Sequence, residues 1–119
     1  MEKYIQPNEV SCLGTAVACV LEISPLDFYD CLNMPFDEVP HIEQIKRLLL
    51  RLGHRPVELT YAPCFYEDGI MHPVVCDFWG HMKRGVLCTD SHAYAYDGTI
   101  WNPAGRVETN VVPVFGLDF

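Results

Sequence analysis

The sequence predicts an α+β domain in which N-terminal helices pack on a C-terminal antiparallel sheet. Three observations predict this class. Residues 11–53 place apolar side chains at helical spacing, residues 55–117 hold short runs in which apolar and polar residues alternate, and turn sequences separate these runs. Helices that precede the strands, rather than alternate with them, favour antiparallel pairing. A length of 119 residues suits a single domain over the whole chain.

Three helices are expected in the first half. The first is expected over residues 12–22, with Ser11 as its N-terminal cap, because its apolar residues recur at helical spacing. A shorter helix is expected to begin after Ser24, with a proline at its first position. The third is expected over residues 40–52, followed by Gly53 where a left-handed residue ends a helix well.

Short strands are expected in the second half, where β-branched and aromatic residues alternate with polar ones. Asp- and Gly-containing sequences such as Glu67-Asp68-Gly69 and Asp97-Gly98 mark turns between them. Residues 79–84 are expected to form a helical turn. The expected strands are 56–61, 72–78, 85–88, 92–96, 99–102 and 111–115.

The charge and the apolar pattern exclude several classes of function. A net charge of −8 with eight scattered basic residues argues against nucleic acid or an anionic membrane as partner. The chain opens without a signal-peptide pattern and has no apolar run long enough to cross a bilayer, so we expect a cytoplasmic protein. In that compartment the cysteines are expected to be reduced. They are Cys12, Cys19, Cys31, Cys64, Cys76 and Cys88.

Cys12 is the candidate nucleophile. As the first residue of a helix, its thiol would lie at the positive end of the helix dipole, which favours the thiolate. Gln6 lies six residues upstream, far enough to fold back and donate its side-chain amide to an oxygen held beside the sulfur. Together with the backbone N–H of Cys12, that amide would form an oxyanion hole.

His92 is the candidate base among five histidines. The others lie near helix ends, before a proline or in an expected helical turn, where ordinary structural roles explain them. His92 instead opens a strand of small and aromatic residues, where an ionisable side chain needs a reason.

The hairpin that follows His92 decides its partner. A three-residue loop at 96–98, with Gly98 left-handed, would pair His92 with Asn102 on one face of the sheet. A two-residue loop at 97–98 would pair Ala93 with Asn102 and turn Asn102 to the other face. The sequence leaves both registers open.

In the first register, the Asn102 amide oxygen would accept a hydrogen bond from one imidazole nitrogen and hold the other toward the thiolate. Asp90 is the reserve candidate for this third role.

These residues resemble a known arrangement. Gln6, a helix-opening Cys12, a late strand beginning at His92, and Asn102-Pro103 after a tight turn resemble the papain-like cysteine peptidase clan. Within it they are similar to the C39-like peptidases and their short phage-encoded relatives. The resemblance covers most of the chain, although its specific motifs occupy two short regions. Leu13 stands where the family often has glycine.

The resemblance implies a papain-like fold and a cysteine-dependent hydrolase that acts through an acyl-enzyme. The substrate class would be a protein or peptide, cleaved by a peptidase, isopeptidase or amidase reaction without a cofactor. The catalytic residues would be Cys12, His92 and Asn102, with Gln6 in the oxyanion hole. A phage-encoded member would act in the cytoplasm of its host.

Two other classes of function compete with this interpretation. Cys76, His81, Cys88 and His92 could ligate zinc, but their irregular spacing and the absence of any Cys-x-x-Cys pair argue against a metal site. The acidic charge would also suit a non-enzymatic module that binds or inhibits a basic host protein. An unreactive Cys12 would favour this second class.

Overall fold

The computed structural model describes residues 1–60, 64–73, 82–109, 111 and 113–119. Three helices come first in the chain: α1 (Cys12–Leu21), α2 (Pro25–Leu32) and α3 (Ile42–Arg51). The strands follow, so the α+β class with helices before a sheet is confirmed. Each helix lies within one or two residues of the range that its sequence predicts.

Six strands form one antiparallel sheet with the order β1-β8-β4-β5-β6-β7, and β2 pairs with β3 in a separate hairpin. The strands are β1 (Val57–Thr60), β2 (Cys64–Glu67), β3 (Ile70–Pro73), β4 (Gly85–Cys88), β5 (Ala93–Tyr96), β6 (Ile100–Asn102), β7 (Arg106–Glu108) and β8 (Phe115–Asp118).

The expected strand at 85–88 is confirmed, and those at 92–96 and 99–102 each begin one residue later than predicted. The last strand is wrong: it runs over Phe115–Asp118 instead of 111–115. Pro113 has no N–H to donate to a central ladder, and β8 pairs on both sides, with β1 and β4. The sequence did not predict β2 and β7. Residues 74–78 of the expected strand and 79–81 of the expected helical turn lie outside the described residues, and residues 82–84 are not helical.

The Ser24 cap predicted for α2 and the left-handed Gly53 predicted after α3 are both present, and α3 begins with a capping box that was not predicted from the sequence. The Ser24 hydroxyl accepts the backbone N–H of Asp27 at 3.1 Å, which caps α2. At α3, the His41 ring accepts the N–H of Glu43, while the Gln44 side chain accepts the N–H of His41 at 2.8 Å. Gly53 follows α3 with φ +88°, the left-handed conformation expected of it.

α1 packs against β4 and β5 to form the main core. Its buried side chains meet Ala93 and Ala95 of β5 and Trp101 of β6, and the small alanines let the helix approach the sheet closely. Tyr94 and Ile100, which alternate with these residues, belong to a second apolar cluster. Alternation along the strands therefore assigns the two clusters to opposite faces of the sheet.

The N-terminal segment joins α1 to the end of β6. The backbone N–H of Glu2 donates to the Cys19 carbonyl at 3.1 Å, and the Trp101 indole donates to the Tyr4 carbonyl at 2.8 Å. The N–H of Gln6 then donates to the carbonyl of Pro103 at 2.8 Å. These bonds bring Gln6 beside the turn that follows Asn102.

Within the described ranges, no single helix is both long and apolar enough to span a membrane. α1 and α2 meet the length and composition criteria only when taken together, as a pair bent by 106°.

Candidate active site

His92 and Asn102 form a hydrogen-bonded pair at neighbouring strand ends. His92 lies one residue before β5, and Asn102 is the last residue of β6. The His92 Nε2 lies 2.7 Å from the Asn102 Oδ1, within the range of a short side-chain hydrogen bond. Asn102 is only 3% exposed, so its polar groups depend on protein partners.

The register that brings them together differs from both predicted registers. The predicted three-residue loop would pair Ala95 with Thr99. In the structure Ala95 pairs with Trp101, two residues further on, and the loop spans residues 97–99. A shift of two residues keeps the same faces, so His92 and Asn102 meet diagonally. The predicted positive φ of Gly98 is confirmed at +106°.

The Asp97 side chain explains why the loop lies one residue later than predicted. Its carboxylate accepts the backbone N–H of Thr99 at 3.2 Å, a local turn that competes with the strand ladder. Thr99 is thereby held in the loop instead of opening β6.

Two further partners fix the orientation of the Asn102 amide. Its Oδ1 accepts the backbone N–H of Ala104 at 2.9 Å, and its Nδ2 donates to Glu108 Oε1 at 3.0 Å. An oxygen therefore faces His92, so Nε2 must carry the hydrogen of their bond. The neutral ring then has its lone pair on Nδ1, the nitrogen that a base would use, and no described residue forms a hydrogen bond with Nδ1.

Glu108 and Arg106 continue the polar network along β7. The Arg106 Nε donates to the same Glu108 oxygen at 2.6 Å. The hydrogen bond from Asn102, followed by that from Arg106 and the nearby charges of Arg106 and His92, lowers the pKa of Glu108. Glu108 is therefore an anion at neutral pH.

The Tyr94 ring sets the side of the sheet on which His92 lies. The two rings meet edge to face with their centroids 4.9 Å apart. Tyr94 belongs to the cluster on the face of the sheet away from α1. The prediction that His92 and Asn102 lie on the face that meets α1 is therefore wrong. His92 lies one residue before β5, at the end of the sheet.

Cys12 lies at the N-terminal end of α1, near the end of β4. It is partly buried against the main core, as is Cys88. Desolvation, with a smaller contribution from the charge of Cys12, raises the pKa of Cys88 to about 11. Cys88 pairs with Ala93, the residue after His92. Among the described residues, no hydrogen bond joins Cys12 to His92.

The first turn of α1 has no side-chain cap, which corrects the prediction for Ser11. The Ser11 hydroxyl instead donates to the Asn8 carbonyl at 3.1 Å and accepts the Asn8 N–H at 3.3 Å. The first helical bond runs from Thr15 to the Ser11 carbonyl. Within the described part of the chain, the N–H groups of residues 12–14 have no acceptor, so the positive end of the dipole is open at Cys12.

Gln6 is held between this helix end and the Asn102 turn. Its Nε2 donates one hydrogen to the Asn8 carbonyl at 2.9 Å, which leaves the second amide hydrogen for another acceptor. Its Oε1 is buried and no described group donates to it. Residues 6–11 thus form a compact loop that connects Pro103 to Cys12.

The structure brings Gln6, His92 and Asn102 to one end of the sheet, and Cys12 begins the helix that follows the loop over residues 6–11. The reserve candidate Asp90 is exposed, and no described group bonds its side chain, whereas Asn102 is hydrogen-bonded to His92. Of the zinc candidates, Cys76 and His81 lie outside the described residues. Among those that are described, no three ligating side chains form a group.

Sequence reasoning missed the residues that hold Asn102. Ala104 acts through its backbone, which no side-chain pattern reveals, and Glu108 depends on β7, a three-residue strand with two exposed positions. The alternation of Arg106 and Glu108 around Val107 was the available signal.

Comparison of the chain with protein-family models, with curated proteins and with solved structures gives no match in any of the three.

Proposed function

We propose that this protein is a papain-like cysteine-dependent hydrolase that cleaves an amide bond through an acyl-enzyme. The observation that carries the proposal is the 2.7 Å bond between His92 and Asn102, two residues that the sequence selects for base and orienting group. The uncapped helix end at Cys12 supports it, because its unpaired backbone N–H groups stabilise a negative charge held beside them.

The proposed reaction begins when His92 Nδ1 takes the proton of the Cys12 thiol. The imidazolium that forms keeps its Nε2–H bond to Asn102, which holds the ring in place as its charge develops. The thiolate attacks the substrate carbonyl carbon, and the carbonyl electrons move to the oxygen. The Cys12 N–H and the second amide hydrogen of Gln6 stabilise this oxyanion.

Collapse of the tetrahedral intermediate breaks the C–N bond, and the imidazolium gives its proton to the leaving amine. The product is a thioester between the acyl group and Cys12. A water, deprotonated by the same His92, attacks the thioester, and the acid leaves as the thiol reforms. No cofactor enters these steps, and the acyl group belongs to a protein or peptide substrate.

A peptide-based electrophilic probe that traps nucleophilic thiols tests the proposal. We expect stoichiometric labelling of the wild-type chain and none of Cys12→Ala. Cys31→Ala is the matched control, because Cys31 is the exposed described thiol and lies far from His92 in the chain. Labelling that disappears in Cys31→Ala, or that persists in Cys12→Ala, would assign the nucleophile elsewhere. If the probe labels neither the wild-type chain nor the Cys31→Ala variant, the acidic binding module becomes the favoured function.

A further inference from the structure

We propose that Glu108 is a positioning residue that selects the tautomer of His92 by orienting the Asn102 amide. Nothing in the sequence pattern of the papain-like resemblance requires an acidic residue here. The catalytic consequence rests on the proposed function, whereas the effect on the tautomer does not.

Strand register places Glu108 diagonally across from Asn102. In the β6–β7 pair, Asn102 lies opposite Arg106, and Ile100 lies opposite Glu108. The three polar side chains share one face, within the reach expected of diagonal neighbours. The Glu108 side chain is 23% exposed, so the carboxylate is partly shielded from water beside a buried amide.

A carboxylate and a backbone N–H impose opposite requirements on the two ends of the Asn102 amide. The ionised Glu108 only accepts hydrogen bonds, so the amide end that faces it must be the NH₂ group. The Ala104 N–H only donates, so the other end must be the oxygen. A flipped amide would lose both bonds. Its NH₂ group would then face the Ala104 N–H, donor against donor, and its oxygen would face the Glu108 carboxylate, acceptor against acceptor.

The tautomer of His92 follows from that orientation. Because Oδ1 faces the ring, the Nε2–H tautomer keeps the 2.7 Å bond, and the Nδ1–H tautomer loses it. Without Glu108, only the Ala104 N–H distinguishes the two ends of the buried amide, and the preference for Oδ1 over Nδ2 at His92 weakens.

Arg106 has a different role in this arrangement. It shares the Glu108 oxygen, but its own side chain is 71% exposed, where an ion pair contributes little. If Glu108 served only to pair with Arg106 and hold the β6–β7 hairpin together, removal of either partner would have the same effect. If Glu108 orients Asn102, only its own removal changes the histidine.

Nitrogen-15 NMR of the histidine rings in the full-length chain separates the two roles. In the neutral ring of the wild type, the hydrogen of His92 is expected on Nε2. Glu108→Ala should shift the ring nitrogens toward a mixture of tautomers, while Glu108→Gln, whose amide oxygen still accepts from Asn102, should restore the wild-type spectrum. Arg106→Gln should also leave the tautomer unchanged.

Glu58→Ala is the matched control. Like Glu108, Glu58 lies on an edge strand and forms an ion pair with a positively charged side chain, that of Lys46, at 2.9 Å. Since alanine is a weak strand former, Glu108→Val is measured in parallel in case the alanine variant does not fold. A wild-type tautomer in both Glu108→Ala and Glu108→Val would overturn the proposal, as would equal changes in Arg106→Gln.

The alkylation rate of Cys12 provides the second readout. Complete loss of the correct tautomer lowers turnover by about 10⁴-fold in a serine triad, so a partial loss should slow Cys12 alkylation by roughly 10-fold or more. A wild-type Cys12 that does not react would contradict the proposed function while the tautomer result still stands. A reactive Cys12 with an unchanged tautomer in Glu108→Ala would contradict the role of Glu108 alone.

Discussion

The N-terminus of α1 differs from those of α2 and α3. The two later helices are closed by their own side chains, Ser24 at α2 and the reciprocal His41–Gln44 pair at α3. At α1 the residue in the cap position turns its hydroxyl backward to Asn8, and the helix end stays open at Cys12. A cap stabilises a helix by about 1 kcal/mol, so α1 forgoes stability where an open dipole favours a thiolate.

The largest effect expected from this contrast is on thiol reactivity. Iodoacetamide at pH 6 to 7, read by mass spectrometry, should modify Cys12 first. Burial raises the pKa of Cys19 and of Cys88 to about 11 each, so their thiolate fraction at pH 7 is about 10⁻⁴. Cys31, exposed and away from any helix N-terminus, shows how an ordinary thiol reacts. Faster labelling of Cys88 or Cys31 than of Cys12 would contradict the contrast.

Gln6→Ala tests whether Gln6, which precedes α1, adds a hydrogen-bond donor to the oxyanion hole at the N-terminus of this helix. Among the described residues, the side chain of Gln6 makes one hydrogen bond, to the Asn8 carbonyl, so folding should change little. Loss of one oxyanion donor lowers turnover by about 10²–10³-fold. The check is turnover of a peptide amide substrate beside the thermal midpoint of the variant. Unchanged turnover would reduce Gln6 to a loop residue that bonds Asn8 and Pro103.

Asn8→Ala is the companion variant, because Asn8 organises the same loop without facing a substrate. Its amide donates to the Phe36 carbonyl at 3.1 Å and its oxygen accepts the Val10 N–H at 3.1 Å. We expect Asn8→Ala to lower the thermal midpoint clearly, whereas Gln6→Ala lowers turnover at a nearly unchanged midpoint.

Gly14→Ala tests how closely the open end is packed. A Cβ on Gly14 would lie 2.5 Å from the Tyr29 ring and hydroxyl oxygen. Tyr29 is buried, and its ring contacts Phe36 with centroids 4.6 Å apart, so it has little freedom to move. The resulting strain of about 1–3 kcal/mol outweighs the gain in helix propensity of about 0.5–1 kcal/mol.

The measurement is the free energy of unfolding in urea, with the double variant Gly14→Ala/Tyr29→Leu as control. The smaller leucine should relieve most of the clash, so the two changes should be strongly non-additive. Additive losses would mean that Tyr29 does not limit the space beside the first turn of α1.

The helices were predictable from sequence because their signals are local. Ser24, Gly53 and the apolar spacing of α1 each act within a few residues, and each agrees with the structure apart from the Ser11 side chain. The Ser11 hydroxyl had two possible sets of partners within reach, the unpaired N–H groups of the helix start and the backbone of Asn8. Sequence gives no measure of which one wins, because the choice depends on how the loop over residues 6–11 is held by Phe36 and Pro103.

The strands were harder to predict because pairing is not local. His92 and Asn102 do meet, but through a register two residues away from the one that predicted their contact. The two residues still meet because a register shift of two residues keeps each side chain on the same face of the sheet. A shift of one residue would have placed them on opposite faces. The predicted position of β8 was wrong because its neighbours β1 and β4, which are distant in sequence, select which residues pair.

The smallest expected effect compares the two serines in cap positions. Ser24→Ala removes the acceptor of the Asp27 N–H and should lower the free energy of unfolding by about 1 kcal/mol. Cys12 alkylation should stay at the wild-type rate, because α2 does not carry the nucleophile. Ser11→Ala removes no cap from α1, so its effect should come through the loop that its hydroxyl bonds.

Ser11 is fully buried and joins the Asn8 backbone through two hydrogen bonds. Its replacement should loosen the loop that places Gln6, and so should slow Cys12 alkylation more than Ser24→Ala does at a similar loss of stability. Urea unfolding and alkylation rates measured on both variants make the comparison. Equal alkylation rates in the two would mean that the open end of α1 works independently of the loop that precedes it.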